Sequence, residues 1–382
     1  MTADRRAPMP WLVAAISGRM LAASAARGGH AVVVLDCFAD RDTRAVALAA
    51  RAVAAAGAPR LGRRTLLRAA RELAPLHASA GLVAGSGFEA RPALLARLAE
   101  GRHLAGNPPE VVAAVKDPDR FFPLLDQLGI PHPEVRRAAP TDPGGWLRKR
   151  VGGAGGVHVQ PATVHATRRD AYYQRRETGR TLSALFLANG LRACRIGCSE
   201  QWVAPQPGLP FLYGGAVGGL VLSPAVLRAL DGILDALAAA TGVVGLNGLD
   251  FLLQEERLSV LELNPRPTAT LELYDPDWAT GLFDQHLRAC AGELPAAVPP
   301  PAAARASMLL TALGEWSPGP AFTFPPWCRD LPMPGTRFRA GDPVCTVFAE
   351  GGTPPEATAT ARQRQAALRA AIQADPSPAG AP

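Results

Sequence analysis

Apolar positions along the chain fall into two rhythms. Trp11–Ile16 and Ala31–Leu35 are short unbroken apolar runs, which predict strands buried on both faces. Between them, Gly18 to about Arg27 reads as a helix that Gly28–Gly29 ends, and Asp36 closes the second run. A third run, Gly81–Ala84, enters Gly85–Ser86–Gly87 and precedes a helix predicted over about 91–100. Ala-rich stretches at about 44–57 and 63–76 predict two further helices. Strand–helix–strand order of this kind predicts a parallel, doubly wound sheet, so residues 1–108 read as a Rossmann-like α/β domain. A dinucleotide site would need GxGxxG straight after the first strand, and the turn there is Ser17–Gly18–Arg19–Met20. Asp36 alone does not replace that spacing, so the scaffold is read as one without a dinucleotide.

The pattern changes near residue 110. A helix over Asp117–Leu128 precedes Gly129–Ile130–Pro131, and Trp146–Val151 is a short strand that runs into Gly152–Gly153–Ala154–Gly155–Gly156. A helix at about 223–241 leads to a hairpin over 249–264. Ala296–Ala304 has the composition of a linker. Residues 305–350 alternate like short strands, and a helix is expected at 358–372 before a disordered tail at 373–382. No internal repeat is present.

Composition narrows the classes. The chain has 382 residues, 48% of them hydrophobic and 19% charged, enough for two or three domains. A net charge of +7 with no basic block does not indicate nucleic-acid binding. Arg5 and Arg6 precede too short an apolar run for a signal peptide, and no segment is long enough to span a membrane. A cytoplasmic protein is expected. The six cysteines are scattered without a CxxC, so zinc is not indicated and reduced thiols are. Of the 40 Lys and Arg residues only two are lysine, Lys116 and Lys149, leaving 38 arginines. A lysine is a compact point charge and an arginine a planar fork, so the two survivors mark positions where a guanidinium does not substitute.

The hairpin carries paired acids. A three-residue turn, Glu255–Glu256–Arg257, puts Asp250 directly opposite Glu262, with Cβ atoms about 5 Å apart. Asn264 and Arg266 follow Glu262 on the same face. Facing carboxylates repel unless a cation lies between them, and two carboxylates with an amide oxygen are hard ligands suited to Mg²⁺. Arg266 can hold a developing anion. Against this stands the plain alternative of a solvated hairpin face. Lys149, three residues before Gly152, places a point charge where a glycine loop would cradle phosphate.

A lysine, then a lysine with a glycine loop, then Asp … Glu-x-Asn-x-Arg, resembles the ATP-grasp superfamily. Gly106–Asn107–Pro108 and Lys116–Asp117 resemble that family's entry to its ATP site. The resemblance implies a Rossmann-like N-terminal domain (1–108), two α+β ATP-grasp subdomains (109–180 and 181–295) and a small β-rich C-terminal region (305–372). It implies that Lys116, Lys149 and Gly152, Gly153, Gly155 and Gly156 contact ATP. It further implies that Asp250, Glu262 and Asn264 hold Mg²⁺ or Mn²⁺, and that Arg266 and Lys149 act in catalysis. Tyr173–Gln174 through Gly179 resembles the hinge that holds adenine and ribose. The usual acid there is Gln174, leaving Glu177 as the ribose partner. Gly335–Thr336 and Ala340–Val344 resemble the end of carboxylase-like members, and the nearest subgroup is that of predicted carboligases related to biotin carboxylase. No lysine remains there for biotin.

The implied activity is an ADP-forming carboxylate–amine ligase acting on small molecules, and a homodimer is compatible with it. The alternatives are a carboxylase-type enzyme using carboxyphosphate and a nucleotide-binding module without turnover. Substrate walls are expected at Arg19, Asp40, Gly85–Glu89 and a Tyr213–Gly214–Gly215 turn. Glu89 reads equally as an amine ligand or as a helix N-terminal charge. Arg195 and His158 could each bind an anion, and the competing reading is a structural one.

Overall fold

The structure is a computed structural model that describes residues 9–55, 59–163 and 170–375. It begins with a parallel four-stranded sheet in the order β3-β2-β1-β4, made of β1 (Trp11–Ala14), β2 (Val32–Asp36), β3 (Ala49–Ala52) and β4 (Gly81–Ala84). Helices α1 (Arg19–Arg27), α2 (Arg41–Val46), α3 (Arg63–Leu73) and α4 (Pro92–Ala99) connect and follow its strands. One sheet face packs on α3 and α4 through Leu35, Leu66, Leu82 and Leu95. The other carries Val13, Val34 and Val83 into a core shared with Phe283 and Leu246 of later elements. Unbroken apolar strands are what a sheet covered on both faces requires.

One expectation fails here. The Ala-rich stretch at 44–57 is not one helix. α2 ends at Val46, and Ala49–Ala52 pairs in parallel with Val33–Asp36. Alanine favours helix locally, but pairing at the open side of β2 outweighs that weak preference. Residues 56 and 57 of the same expectation lie outside the described residues.

Two helices, α5 (Pro109–Lys116) and α6 (Pro118–Gln127), then lead to a small antiparallel sheet in the order β5-β8-β6-β7. Its strands are β5 (Val135–Arg136), β6 (Trp146–Arg150), β7 (Val159–Pro161) and β8 (Ala171–Arg175). An eight-stranded sheet takes up most of the remainder, in the order β13-β12-β9-β10-β11-β14-β16-β15. It comprises β9 (Arg180–Asn189), β10 (Ala193–Val203), β11 (Tyr213–Val217), β12 (Val244–Gln254), β13 (Arg257–Asn264), β14 (Ala304–Thr311), β15 (Cys328–Arg329) and β16 (Pro343–Gly351). Helix α7 (Pro224–Thr241) starts at the Ser223 cap, ends at left-handed Gly242 and packs Leu230, Leu234 and Leu237 on this sheet. Helix α8 (Gly281–Cys290) covers the face toward the first domain. Helix α9 (Pro354–Ala374) packs Ala357, Ala361 and Leu368 on β14 and β16.

Strands expected within 305–350 thus continue the same sheet as the hairpin, through pairing of β11 with β14. The last helix begins before residue 358 and runs to Ala374, so residues 373 and 374 of the expected tail are helical. Residues 376–382 of that tail, like Arg5 and Arg6, lie outside the described residues. All six cysteines are free thiols. Among the described residues, no helix is long and apolar enough to cross a membrane.

Candidate active site

The hairpin reaches the expected acid pair by a different route. Gln254 pairs with Arg257, so the turn has two residues rather than three, with Glu255 at φ +54. That register would leave Asp250 one residue out of step with Glu262. A β-bulge between Asp250 and Phe251 absorbs Leu261 and restores Asp250↔Glu262 and Gly248↔Asn264. Asp250, Glu262 and Asn264 therefore share one face. Asn264 Nδ2 donates to Asp250 Oδ2 at 2.9 Å, and Gln201 Nε2 donates to Asp250 Oδ1 at 3.0 Å.

Both lysines come to this face. Lys116, the last residue of α5, is buried and donates to Glu262 Oε2 at 3.1 Å and to Asn264 Oδ1 at 2.8 Å. Lys149 stands opposite Tyr172 in the small sheet, and the period of two puts Leu147, Lys149, Tyr172 and Gln174 on one side. Lys149 is buried, and burial lowers its pKa against the pull of Glu262 and Asp250. No hydrogen bond or ion pair among the described residues occupies its ammonium. A charge taken out of water without a direct partner is costly, which suits a group waiting for an anion. Burial would push the Glu262 carboxyl up, but Lys116, His158 and Lys149 together outweigh it and hold the group well below the ordinary range. Asp250 goes the other way, to about 6, through burial and the neighbouring Glu262 charge.

The glycine loop closes over these groups. An added Cβ at Gly152 (φ +68) would meet the Ala90 Cα at 2.5 Å, and one at Gly153 would meet the His158 Cγ at 2.1 Å. At Gly156 (φ +76) it would lie 1.7 Å from the Phe211 carbonyl oxygen. Only Gly155 (φ +66) faces open space. Tyr213 N donates to Gly155 O at 3.1 Å, and Tyr213–Gly214–Gly215 is the start of β11 rather than a turn. The cleft is lined by Lys116, Phe122, Gly153, His158, Tyr172 and Glu262, among others.

At the hinge, Gln174 is 1% exposed and its Nε2 has no hydrogen-bond partner. It lies on the same strand face as Tyr172, which lines the cleft. An orphaned buried amide is expensive and marks a place for a ligand acceptor. Glu177 accepts a hydrogen bond from Ser259 at 2.8 Å, which ties the hinge to β13.

Arg266 turns toward the first domain. Its guanidinium pairs with Glu89, whose other oxygen accepts from Gly87 N at 2.6 Å. Burial alone would raise the Glu89 carboxyl, but Arg266 and then Lys116 lower it. Glu89 is thus neither free for an amine nor a simple helix-dipole charge. Arg195 pairs with Asp231 at 2.7 Å. His158, open between an anion-binding and a structural reading, is not remote from the site. It lies inside the cleft, neutral, with its pKa lowered by burial to about 4 and Nδ1 unpartnered. Gln201 gave no signal in the sequence. His158 gave a faint one, two residues beyond Gly156.

Comparison with known proteins follows this geometry. A family model described as an ATP-grasp domain matches residues 119–270, from α6 through the hairpin and Arg266. That stretch of the chain is similar to ATP-grasp domains. Sequence comparison with curated proteins gives no match. Among solved structures, this chain is similar to Rhizobium etli pyruvate carboxylase with acetyl coenzyme A, at a TM-score of 0.71 and 14% identity. That match covers 97% of this chain and only 39% of the carboxylase. The biotin carboxylase domain of Hydrogenobacter thermophilus 2-oxoglutarate carboxylase, in complex with MgADP, ADP and bicarbonate, gives a TM-score of 0.71 and 14% identity over 94% of this chain and 90% of that one. The L-amino acid ligase of Bacillus licheniformis gives 0.66 and 13% over 94% and 98%. At these identities the likeness establishes the shared fold, over most of the length of this chain.

Proposed function

We propose that the protein is an ATP-dependent ligase that activates a carboxylate as an acyl phosphate and joins it to an amine, releasing ADP and phosphate. The observation that carries this reading is the convergence of the chain's two lysines, both buried, on one cleft with the cross-strand pair Asp250 and Glu262. A solvated hairpin face would not bury both ammonium groups.

Roles follow from the chemistry of each group. Lys149 and Lys116 attract the phosphates, and the amides of Gly152, Gly153, Gly155 and Gly156 bind phosphate oxygens and exclude water. Tyr172 and Gln174 face the base, and Glu177 binds ribose. Asp250 and Glu262, with Asn264, fit a divalent cation, because burial and then the facing Glu262 charge both raise Asp250, and a cation between them would relieve both. Mg²⁺ or Mn²⁺, when bound, supplies positive charge to the phosphates and the leaving ADP. An oxygen of the substrate carboxylate attacks the γ-phosphorus, and the bond from phosphorus to the bridging oxygen of ADP breaks. The neutral amine then attacks the acyl carbon, inorganic phosphate leaves, and the amine loses a proton. Arg266, fixed by Glu89, faces the charge that develops on the acyl oxygens.

ADP release by the full-length protein with Mg–ATP, across a panel of acids and amines, tests the reading. ADP should form only when an acid and an amine are both present, and amide should accumulate with it. The neighbouring biotin carboxylase fold favours one competing reading. ADP release that depends on bicarbonate alone would replace the ligase with a carboxyphosphate-forming enzyme.

A further inference from the structure

Five buried side-chain polar atoms among the described residues have no hydrogen-bond partner: Thr43 Oγ1, His158 Nδ1, Gln174 Nε2, Ser183 Oγ and Tyr213 Oη. Of these five residues, only His158 lines the cleft that Lys116, Glu262 and the glycine loop share. It is 9% exposed. Buried polar groups in native folds find partners, so an imidazole with an orphaned nitrogen on a cavity wall marks a place for a group supplied from outside the chain.

The loop contacts fix which end of the cleft the ring occupies. Gly153 lies directly against it, since a Cβ added there would be 2.1 Å from His158 Cγ. The preceding residue, Gly152, rests on the first domain, where an added Cβ would be 2.7 Å from the Glu89 carbonyl oxygen. Glu89 in turn holds Arg266. Along β6, the hinge residue Gln174 stands opposite Leu147, whereas the amide of Arg150, three residues on, donates to the His158 carbonyl at 3.2 Å. Three strand residues span about 10 Å. His158 is thus displaced from the hinge toward Arg266, the end at which a phosphoryl group would pass from ATP to a carboxylate.

Its surroundings are those of a phosphate site. Burial, more than any neighbour, lowers the His158 pKa to about 4; Glu262 pulls the other way, Lys149 and Lys116 lower it again, and the Ala154 carbonyl raises it. The ring at pH 7 is therefore neutral, with one N–H to donate and one lone pair. The two ammonium groups supply charge, but each carries three rotatable donors and fixes little direction. A ring N–H held by packing adds direction without a third buried charge. The oxygens of a phosphoryl group are strong acceptors for it.

We infer that His158 is a catalytic residue whose ring N–H donates to an oxygen of the phosphoryl group in transfer, first as the γ-phosphate of ATP and then as the phosphate of the acyl phosphate. The ring keeps its proton throughout, and no bond to its nitrogens forms or breaks. The transfer rests on the ligase reading, whereas the contact with the γ-phosphate requires only that the cleft binds ATP.

A ring that merely props the loop needs volume and no donor, and three variants of the full-length protein separate the two roles. His158→Leu keeps roughly the volume and removes the donor, while His158→Asn and His158→Gln each present one amide N–H near the place of one ring nitrogen. Calorimetry with Mg–ADP and with Mg–AMPPNP, which carries a third phosphate that is not transferred, reads the contact. His158→Leu should weaken AMPPNP about tenfold, the size expected for one hydrogen bond to a charged group, and ADP less than threefold. It should also lower kcat for ADP release at least tenfold. Asn or Gln should bring AMPPNP affinity back to within about threefold of the unaltered protein. Equal weakening of both nucleotides, no weakening of either, or failure of both amides to restore AMPPNP binding overturns the assignment. If the variants do not fold, the unaltered protein with ¹⁵N-labelled histidine decides: one ring N–H should become protected from exchange with Mg–AMPPNP and not with Mg–ADP, and its absence overturns the contact. Failure of the unaltered protein to bind either nucleotide removes the contact and the ligase reading together. Absence of ADP with every acid–amine pair, while the selective loss of AMPPNP and its rescue persist, would sink the ligase reading and leave the γ-phosphate contact standing.

Discussion

Gly152 lies so close to Ala90 that a side chain on it would put a Cβ 2.5 Å from the Ala90 Cα. The loop over the cleft thus rests on the first domain, immediately beside Glu89, the partner of Arg266. Closing the loop and fixing the arginine are one packing event.

The four loop glycines should respond unequally to alanine. Gly152→Ala and Gly156→Ala meet backbone in addition to a left-handed φ, while Gly155→Ala meets only the φ penalty, roughly 1–2 kcal/mol. KM for ATP should rise at least tenfold in the first two and a few-fold in the third. Equal effects would show that docking against Ala90 and Phe211 is irrelevant to nucleotide binding.

Replacing either lysine should be severe and not rescued by arginine. Lys149→Met and Lys116→Met should each lower ADP formation about 100-fold, the size expected for removing a preorganised charge from a phosphoryl-transfer site. The wider planar guanidinium does not fit in place of a buried ammonium, so Lys149→Arg should recover little. Full activity of Lys149→Arg would refute the argument from lysine scarcity.

Glu89 acts through Arg266. Removing one partner of a buried ion pair leaves the other uncompensated, so Glu89→Ala should cost about 3–5 kcal/mol of stability. Glu89→Gln keeps a hydrogen-bond acceptor and should fold, with kcat reduced about tenfold and KM for ATP unchanged. Steady-state kinetics with denaturant unfolding separates the two effects. A rise in KM for ATP at constant kcat would place Glu89 in nucleotide binding instead.

Magnesium affinity should depend on pH through Asp250. Its carboxyl titrates near 6 in the free protein, raised by burial and by Glu262. A cation binds the ionised form, so below about pH 6 it must displace a proton, and affinity should fall by up to tenfold per pH unit. Above that pH the dependence should flatten. Mg²⁺ titrations at pH 5, 6 and 7.5 read this directly, and a flat profile would remove Asp250 from the cation site.

Much of this architecture is written locally. The apolar runs of β1, β2 and β4 and the caps around α7 place those elements within a residue or two. Residue type singled out Lys116 and Lys149 without any geometry. The acid pair was legible for a less direct reason, because a turn one residue shorter than expected and a bulge that adds one residue cancel. What stayed hidden arises from distant packing. Glu89 meets Arg266 across 177 positions, Gln201 meets Asp250 across 49, and the Ala49–Ala52 strand exists because β2 offers it an edge. No window of neighbouring residues contains those partners.

The pairing of β11 with β14 has a practical consequence for dissecting the molecule. A polypeptide ending before Ala304 would forfeit three strands and α9, baring the backbone donors and acceptors of Gly215–Val217 and the apolar surface beneath them. Such a fragment would be prone to pair with its own copies, although it retains every lysine and acid of the cleft. Residues 304–375 are therefore a wall of the same building, and attempts at a minimal catalytic unit should shorten the chain elsewhere.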